Sequence, residues 1–254
     1  MVRLGQNFLA DPNLLDAIVR DAELEPGDVV LEVGAGEGVL TERLAAAAEA
    51  VHVLEIDRGL EGALRAVSAL PNVSLHWADA MKLDLSVLRP LPTTMVSNLP
   101  YSVATPVILR TIEQLPSLRS WTVMVQREIA DRLRAAPGTR AYGSASAMAQ
   151  SACEVELRRK VAPTVFRPRP RVESAILHMR RTGPAAEEAT RELIRAAFAH
   201  RRKSLARSLD HVRPGAMAAV REALAELGLP ENARAETLSA EDFAALSAKL
   251  QQSA

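Results

Sequence analysis

The stretch LEVGAGEGVL, residues 31–40, runs from a short apolar segment into a helical one through glycines at 34, 36 and 38. Glycine adopts positive φ without strain and lets a ligand come close to the backbone where a side chain would collide. A strand that enters a helix through such a turn is a binding corner of the nucleotide type. The dinucleotide form of the turn needs glycine at 39, where Val39 stands. A purely structural strand-to-helix turn is the plain alternative.

Around this corner, DVVLEV, VHVLEID, NVSLHWAD, TTMVSNLP and SWTVMVQ form a series of apolar runs, several separated by Ala- and Leu-rich segments such as GVLTERLAAAA and RGLEGALRAVSAL. Strands alternating with helices predict an α/β fold, a mostly parallel Rossmann-like sheet covered on both faces. Ahead of it, Asp11 is an expected N-cap with Pro12 at the first helical position. VESAILHMRR reads as the last strand and TGPAAEE as a linker. Beyond it the chain is helical: one segment from Glu187 to Leu209, one ending at Gly228, and a last one capped by Ser239 and Asp242 with Leu238 and Phe243 as a staple. These boundaries predict a catalytic domain over 1–183 and a small helical domain over 184–254.

Composition narrows the class. No apolar run approaches the roughly 18 to 20 residues of a membrane span, and the first residues lack a signal peptide's apolar core, so a cytoplasmic protein is expected. Cys153 is the sole cysteine and the five histidines are scattered, which argues against a metal site. The net charge is zero but unevenly spread. Residues 157–207 hold 14 Lys and Arg against four acids, +10, which leaves 17 against 27, or −10, elsewhere. Such a basic block points to a polyanion such as nucleic acid.

GxGxG preceded by an acid, here Glu32, resembles the S-adenosylmethionine loop of class I methyltransferases. Glu55 ends the next apolar run, 21 residues past Gly34, where a carboxylate can accept ribose hydroxyls; a charge paired with Arg58 is the alternative. Asp79 follows the third run and can accept from an adenine amino group, or merely cap its own turn. The fourth run ends in SNLPY, residues 97–101. An exocyclic adenine amine is a poor nucleophile, so a site that methylates it must accept hydrogen bonds from the NH2 group rather than supply a strong base. Asn98 offers a carboxamide oxygen, the backbone at Leu99 and Pro100 a carbonyl, and Tyr101 a face for stacking a flipped base. An Asn-capped turn before a helix is the plain reading of the same residues. Phe166, among Arg167, Arg169 and Arg171 in a proline-stiffened segment, offers a second stacking ring beside phosphate-binding guanidiniums, or else a hydrophobic anchor.

GQNFL (5–9), LEVGAGEGVLT, EID, ADAM, NLPY, AYGSASAMAQ, FRPRPRVESA, FAHRRKSLARSL and RAETLSAEDF together resemble the small-subunit rRNA adenine dimethyltransferases, the KsgA family, along nearly the whole chain. The resemblance implies transfer of methyl groups from S-adenosylmethionine to N6 of two adjacent adenosines in a hairpin loop near the 3′ end of small-subunit rRNA. The resemblance further implies that the acceptor is the pre-assembled small subunit, late in its assembly, and that S-adenosylhomocysteine is the product. It also implies that Gln6 and Asn7 contact the methionine part of the donor, Gly34 and Gly36 the backbone beside it, Glu55 the ribose, and Asp79 with Ala80 the adenine, Leu9 and Ile56 completing the site. For Gln6 and Asn7, local turn capping is what the residues alone suggest. Asn98, Leu99 and Pro100 would orient the target amine, and Tyr101 and Phe166 would contact the base. Ser97 stands where the family often has glycine, which is tolerable if its side chain points away from the pocket.

In the helical part, Arg191, Arg195 and Arg202 fall within about 40° of one another at 100° per residue. With Arg201 and Lys203 they form an expected phosphate-binding face, while Ile194, Ala197 and Phe198 form a neighbouring stripe expected to pack on the catalytic domain. A monomer is the expected state. A large-subunit rRNA dimethyltransferase, a DNA adenine methyltransferase and a noncatalytic assembly factor are the rival readings.

Overall fold

The computed structural model describes residues 8–200 and 202–252. Residues 8–130 and 154–181 form one compact unit, and the described residues of 131–153 and 182–252 form a second. The second unit thus takes in 131–153, which a single boundary at 183 had assigned to the catalytic part.

The first unit is built on seven strands: β2 (Val29–Val33), β3 (Ala50–Glu55), β4 (Val73–Trp77), β5 (Thr94–Asn98), β6 (Ser120–Gln126), β7 (Cys153–Val161) and β9 (Ser174–Arg181). Their order is β4-β3-β2-β5-β6-β9-β7, and β4 through β6 are parallel while β9 runs antiparallel to β6. β2 and β6 are buried along almost their whole length, as expected of parallel strands covered on both faces. Helices α1 (Pro12–Asp21), α2 (Val39–Ala47) and α3 (Glu61–Ser68) bring Leu15, Ile18, Leu40, Leu44 and Leu64 onto Val30, Val51, Val53 and Val96. The Asp11 carboxylate accepts from the Leu14 N–H at 3.1 Å, the predicted cap of α1. Helix α4 (Ala104–Gln114) is held at its carboxyl end by Arg181, whose guanidinium donates to the carbonyls of Ile112, Leu115 and Leu118 and lies 5.0 Å over the Trp121 ring.

The chain leaves β2 outward to β3 and β4, then returns to place β5 on the other side of β2. Loops beyond the carboxyl ends of β2 and β5 therefore diverge. A crevice at this reversal is where open α/β sheets bind ligands. A two-residue antiparallel ribbon, β1 (Phe8–Leu9) with β8 (Phe166–Arg167), accompanies the sheet.

After α5 (Arg127–Leu133), the helices α6 (Ser144–Gln150), α7 (Glu188–Ala199), α8 (Leu205–Val212), α9 (Met217–Glu226) and α10 (Ala240–Gln252) of the second unit enclose their own core of Tyr142, Ile194, Leu205, Leu224, Phe243 and Leu246. This explains why 131–153 belongs here: Tyr142 packs 6.1 Å from Phe198, and the Gly138 N–H donates to the Glu236 carbonyl at 2.6 Å. Ile194 and Ala197 lie in this same core with Phe198 packed against it, so the stripe expected to face the catalytic domain is used inside the helical unit. The predicted helix from 187 to 209 is two helices, α7 and α8. The reciprocal cap at Ser239 and Asp242 is formed, at 2.8 and 3.1 Å.

Candidate active site

At the carboxyl ends of β2, β3 and β5 lies a cavity of about 450 Å³, a size suited to a small-molecule ligand. Its walls include Leu9, Gly34, Gly36, Glu55, Ile56, Asp79, Ala80, Asn98, Leu99, Pro100 and Tyr101, so the fold brings these candidates together. Gln6, Asn7 and Arg201 lie outside the described residues.

Two glycines are required by close approach. Gly34 has φ +81°, and a Cβ there would meet the Pro100 ring at 3.1 Å; Gly36 has φ +57°, and its Cβ would meet the Phe8 ring at 3.0 Å. The first turn of the loop is thus seated against the proline of NLPY, and the second against an aromatic ring that sequence reasoning passed over although it sits inside GQNFL.

Glu55 is buried at the end of β3. Its carboxylate accepts from the N–H groups of Gly36 (3.1 Å), Ile56 (2.9 Å) and Asp57 (2.9 Å). It does not pair with Arg58, which instead lies 5.6 Å over the Trp77 ring. A carboxylate has about four acceptor positions, so room remains for a further donor from the cavity. Asp79 divides its work: Oδ1 accepts from the Met81 N–H at 2.9 Å, a turn bond, and Oδ2 lies 3.7 Å from the exposed Lys82 ammonium. Ile56 is 55% exposed at the cavity wall, an apolar face fit to cover a flat ring.

Glu32 is fully buried and lines the same cavity. Burial pushes its carboxyl up to about 8; the Thr41 hydroxyl, donating at 2.6 Å, opposes this and the Glu55 charge adds to it. Glu32, Glu37, Glu55 and Asp79 are the ionisable carboxyls of the wall, and among the described residues neither lysine nor arginine lines it. Such a lining repels phosphates and suits a cationic ligand. The site therefore fits S-adenosylmethionine, a sulfonium with a ribose and an adenine, and does not fit a dinucleotide.

Asn98 ends β5 at the rim, half-buried, and its carboxamide has no hydrogen-bond partner among the described residues. The Pro100 carbonyl accepts from the Val103 N–H at 3.1 Å and keeps one lone pair. The Tyr101 hydroxyl bonds to the buried Ser174 hydroxyl at 2.6 Å, which fixes the ring; burial raises its pKa and the Ser174 bond opposes the rise. Ser97 points away from the cavity, as required, and accepts from the Val33 N–H at 2.9 Å.

Phe166 corrects the sequence reading. It is 2% exposed, belongs to the core with Leu15, Ile18 and Ile176, and does not line the cavity. Pairing of Phe166 with Leu9 in the ribbon turns its ring inward, so the anchor alternative is the one realised. Arg167, Arg169 and Arg171 are exposed and have no ion pair among the described residues. Arg202 and Lys203 are exposed likewise, but Arg191 and Arg195 both engage Glu188, the latter at 3.3 Å, so that part of the α7 face is partly neutralised.

Residues 2–252 match the family of ribosomal RNA adenine dimethylases. The chain belongs to that family. It is 44% identical over 248 residues to ribosomal RNA small subunit methyltransferase A of Rubrobacter xylanophilus, covering 96% of this chain and 92% of that protein. The protein of the same description from Alkaliphilus oremlandii is 38% identical, covering 97% and 90%. Among solved structures, a dimethyladenosine transferase from Plasmodium falciparum superposes with TM-score 0.77 over 96% of this chain and 98% of that one, at 22% identity. The 23S rRNA methyltransferase ErmE does so with TM-score 0.69 over 97% and 100%, at 30% identity. The dimethylase fold is a class I methyltransferase fold with a helical addition, as the sequence predicted.

Proposed function

We propose that this dimethylase uses S-adenosylmethionine to convert two adjacent adenosines, in a hairpin loop near the 3′ end of small-subunit rRNA, to N6,N6-dimethyladenosine. It acts as a monomer in the cytoplasm, on the pre-assembled small subunit late in assembly. The observation that carries the reading is the Asn98 carboxamide, without a hydrogen-bond partner among the described residues, at the rim of an acidic, glycine-cradled cavity.

Bound there, S-adenosylmethionine would supply an activated methyl group for N6, with S-adenosylhomocysteine as the leaving product and water as the acceptor of the surplus proton on nitrogen. Glu55 would hold the ribose and Asp79 with Ala80 and Ile56 the adenine, while Gly34 and Gly36 would leave room for the methionine part. The Asn98 oxygen and a carbonyl of Leu99 or Pro100 would accept the two amine hydrogens and so leave the nitrogen lone pair available to the methyl group. Tyr101, pinned through Ser174, stacks on the flipped base. Such positioning and hydrogen-bond acceptance need no strong base or metal ion. Arg167, Arg169, Arg171, Arg202 and Lys203 supply cationic contacts to RNA phosphates.

The test is transfer of labelled methyl groups to purified small subunits that lack the modification, followed by nucleoside analysis. Dimethyladenosine at two adjacent loop positions is the expected result. Incorporation only into large subunits would move the assignment to the substrate named for ErmE, and no incorporation with the donor bound would favour a noncatalytic assembly role.

A further inference from the structure

The methyl-donor loop follows β2 and the amine-holding motif follows β5, and the ladder between these two strands is short. Its register pairs Val30 with Thr94 and Leu31 with Met95. Past that point the Val33 N–H, which faces β5, is bonded to the Ser97 hydroxyl at 2.9 Å. On its other side the loop is tied to β3, where the Gly34 N–H donates to the Leu54 carbonyl at 2.8 Å. Ser97 and Val33 are both buried, Ser97 completely, so the bond is shielded from bulk water. Val33 is the residue before Gly34, and Ser97 is the residue before Asn98.

We infer that Ser97 is a positioning residue for methyl transfer: its hydroxyl spans the opening crevice and fixes how far the donor loop stands from the Asn98 carboxamide. The inference rests on the adenine dimethylation proposed above. Its physical basis is that two motifs on separate strands, joined side to side by one buried hydrogen bond and by the Gly34–Pro100 contact, carry the two reacting partners. A displacement of about 1 Å between reacting groups costs up to roughly a hundredfold in rate. Removing the bond leaves the Val33 N–H buried without an acceptor, which drives a local rearrangement. The contacts proposed for the donor beyond β3 and β4, at Glu55, Ile56, Asp79 and Ala80, are left in place. Turnover therefore suffers more than donor binding. Transfer to an already methylated nitrogen, which must be reseated with a bulkier substituent, suffers most.

The experiment uses the full chain, small subunits lacking the modification, and four proteins: wild type, Ser97→Ala, Ser97→Thr and Ser97→Val. Threonine and valine have nearly the same shape and differ in the hydroxyl, so strain is common to both. Turnover is corrected for the folded fraction at each temperature, donor affinity is measured by calorimetry, and monomethyl- and dimethyladenosine are separated. The expected result is that Ala and Val lower kcat by about tenfold or more, change donor Kd by less than about threefold, and accumulate monomethyladenosine, while Thr stays near wild type. Equal behaviour of Thr and Val, or a lower melting temperature with unchanged kcat per folded molecule and unchanged product ratio, would overturn the positioning role. A wild type inactive on both ribosomal subunits would overturn the dimethylation reading, and this inference with it.

Discussion

The Pro100 ring occupies the space into which a Cβ on Gly34 would project, with its Cδ and Cγ 3.1 and 3.2 Å from that position. The glycine loop after β2 and the NLPY motif after β5 are therefore in van der Waals register at this point. Gly34→Ala would add both this contact and the cost of φ +81°, about 1–2 kcal/mol for a non-glycine residue. The expected outcome is at least tenfold weaker S-adenosylmethionine binding together with a lower melting temperature. Gly62→Ala is the internal control: nothing lies within 4 Å of its Cβ position in α3, and alanine in a helix stabilises by about 0.5–1 kcal/mol relative to glycine. Calorimetry on the two variants checks the contrast. Unchanged donor binding in Gly34→Ala would mean that the loop adapts.

Phe166 should behave as a core residue. It is 2% exposed among Leu15, Ile18 and Ile176, so Phe166→Ala should destabilise by about 3–5 kcal/mol. Phe166→Leu should recover most of this stability. If the ring acted on the target base instead, Phe166→Leu would lose methyl transfer while keeping its melting temperature, an outcome that steady-state kinetics and thermal unfolding would separate.

The Asp28–Arg119 pair makes an acid-side prediction. Burial of Asp28 favours its neutral form, but the Arg119 guanidinium, the Thr93 hydroxyl (2.6 Å) and the Glu25 N–H (2.7 Å) outweigh this and hold the carboxyl below its usual range. A carboxyl depressed in the folded state contributes stability that is complete above the unfolded value near pH 4 and is lost as pH falls through the folded value. Asp28→Asn should lower stability at neutral pH by about 2 kcal/mol, a figure reduced because Arg119 is 42% exposed and can rehydrate. It should also flatten the acid limb of a melting temperature–pH curve below pH 4. Parallel curves for the variant and wild type would refute the linkage.

Legibility followed burial. β2 and β6 show as continuous apolar runs because both faces are covered, and the capping pairs at Asp11 and Ser239 show because their donors and acceptors are local in sequence. Strand β7 was missed because its outward positions carry Glu154, Glu156, Arg158 and Lys160, the charged signature of an edge strand rather than of a core one. Two-residue ribbons such as β1 with β8 have no periodicity to detect, and their pairing decides that Phe166 points inward. Residues 131–153 join the helical unit through contacts with partners roughly a hundred positions away, such as Glu236, which composition cannot reveal. In the site, the glycine loop, Glu55, Asp79 and NLPY were readable as strand-end motifs. Phe8 was not, since its place depends on the ribbon, nor was the raised pKa of Glu32, which burial causes.

Glu32 gives the last prediction. Its carboxyl is pushed up to about 8 by burial, against the opposing Thr41 bond and reinforced by the Glu55 charge. The folded protein holds a proton that the unfolded chain releases near 4.5, the ordinary glutamate value. Stability from this group is therefore full below the ordinary value, declines as pH rises toward 8, and is constant beyond. Glu32→Gln should remove that decline and make the variant the more stable protein at pH 8. A cationic donor in the same cavity favours ionised Glu32, so its binding near pH 7 should release a fraction of a proton. Calorimetry in buffers of differing ionisation enthalpy measures the release directly, and Glu32→Gln should abolish it. Equal proton release by variant and wild type would mean that the titrating group lies elsewhere in the cavity wall.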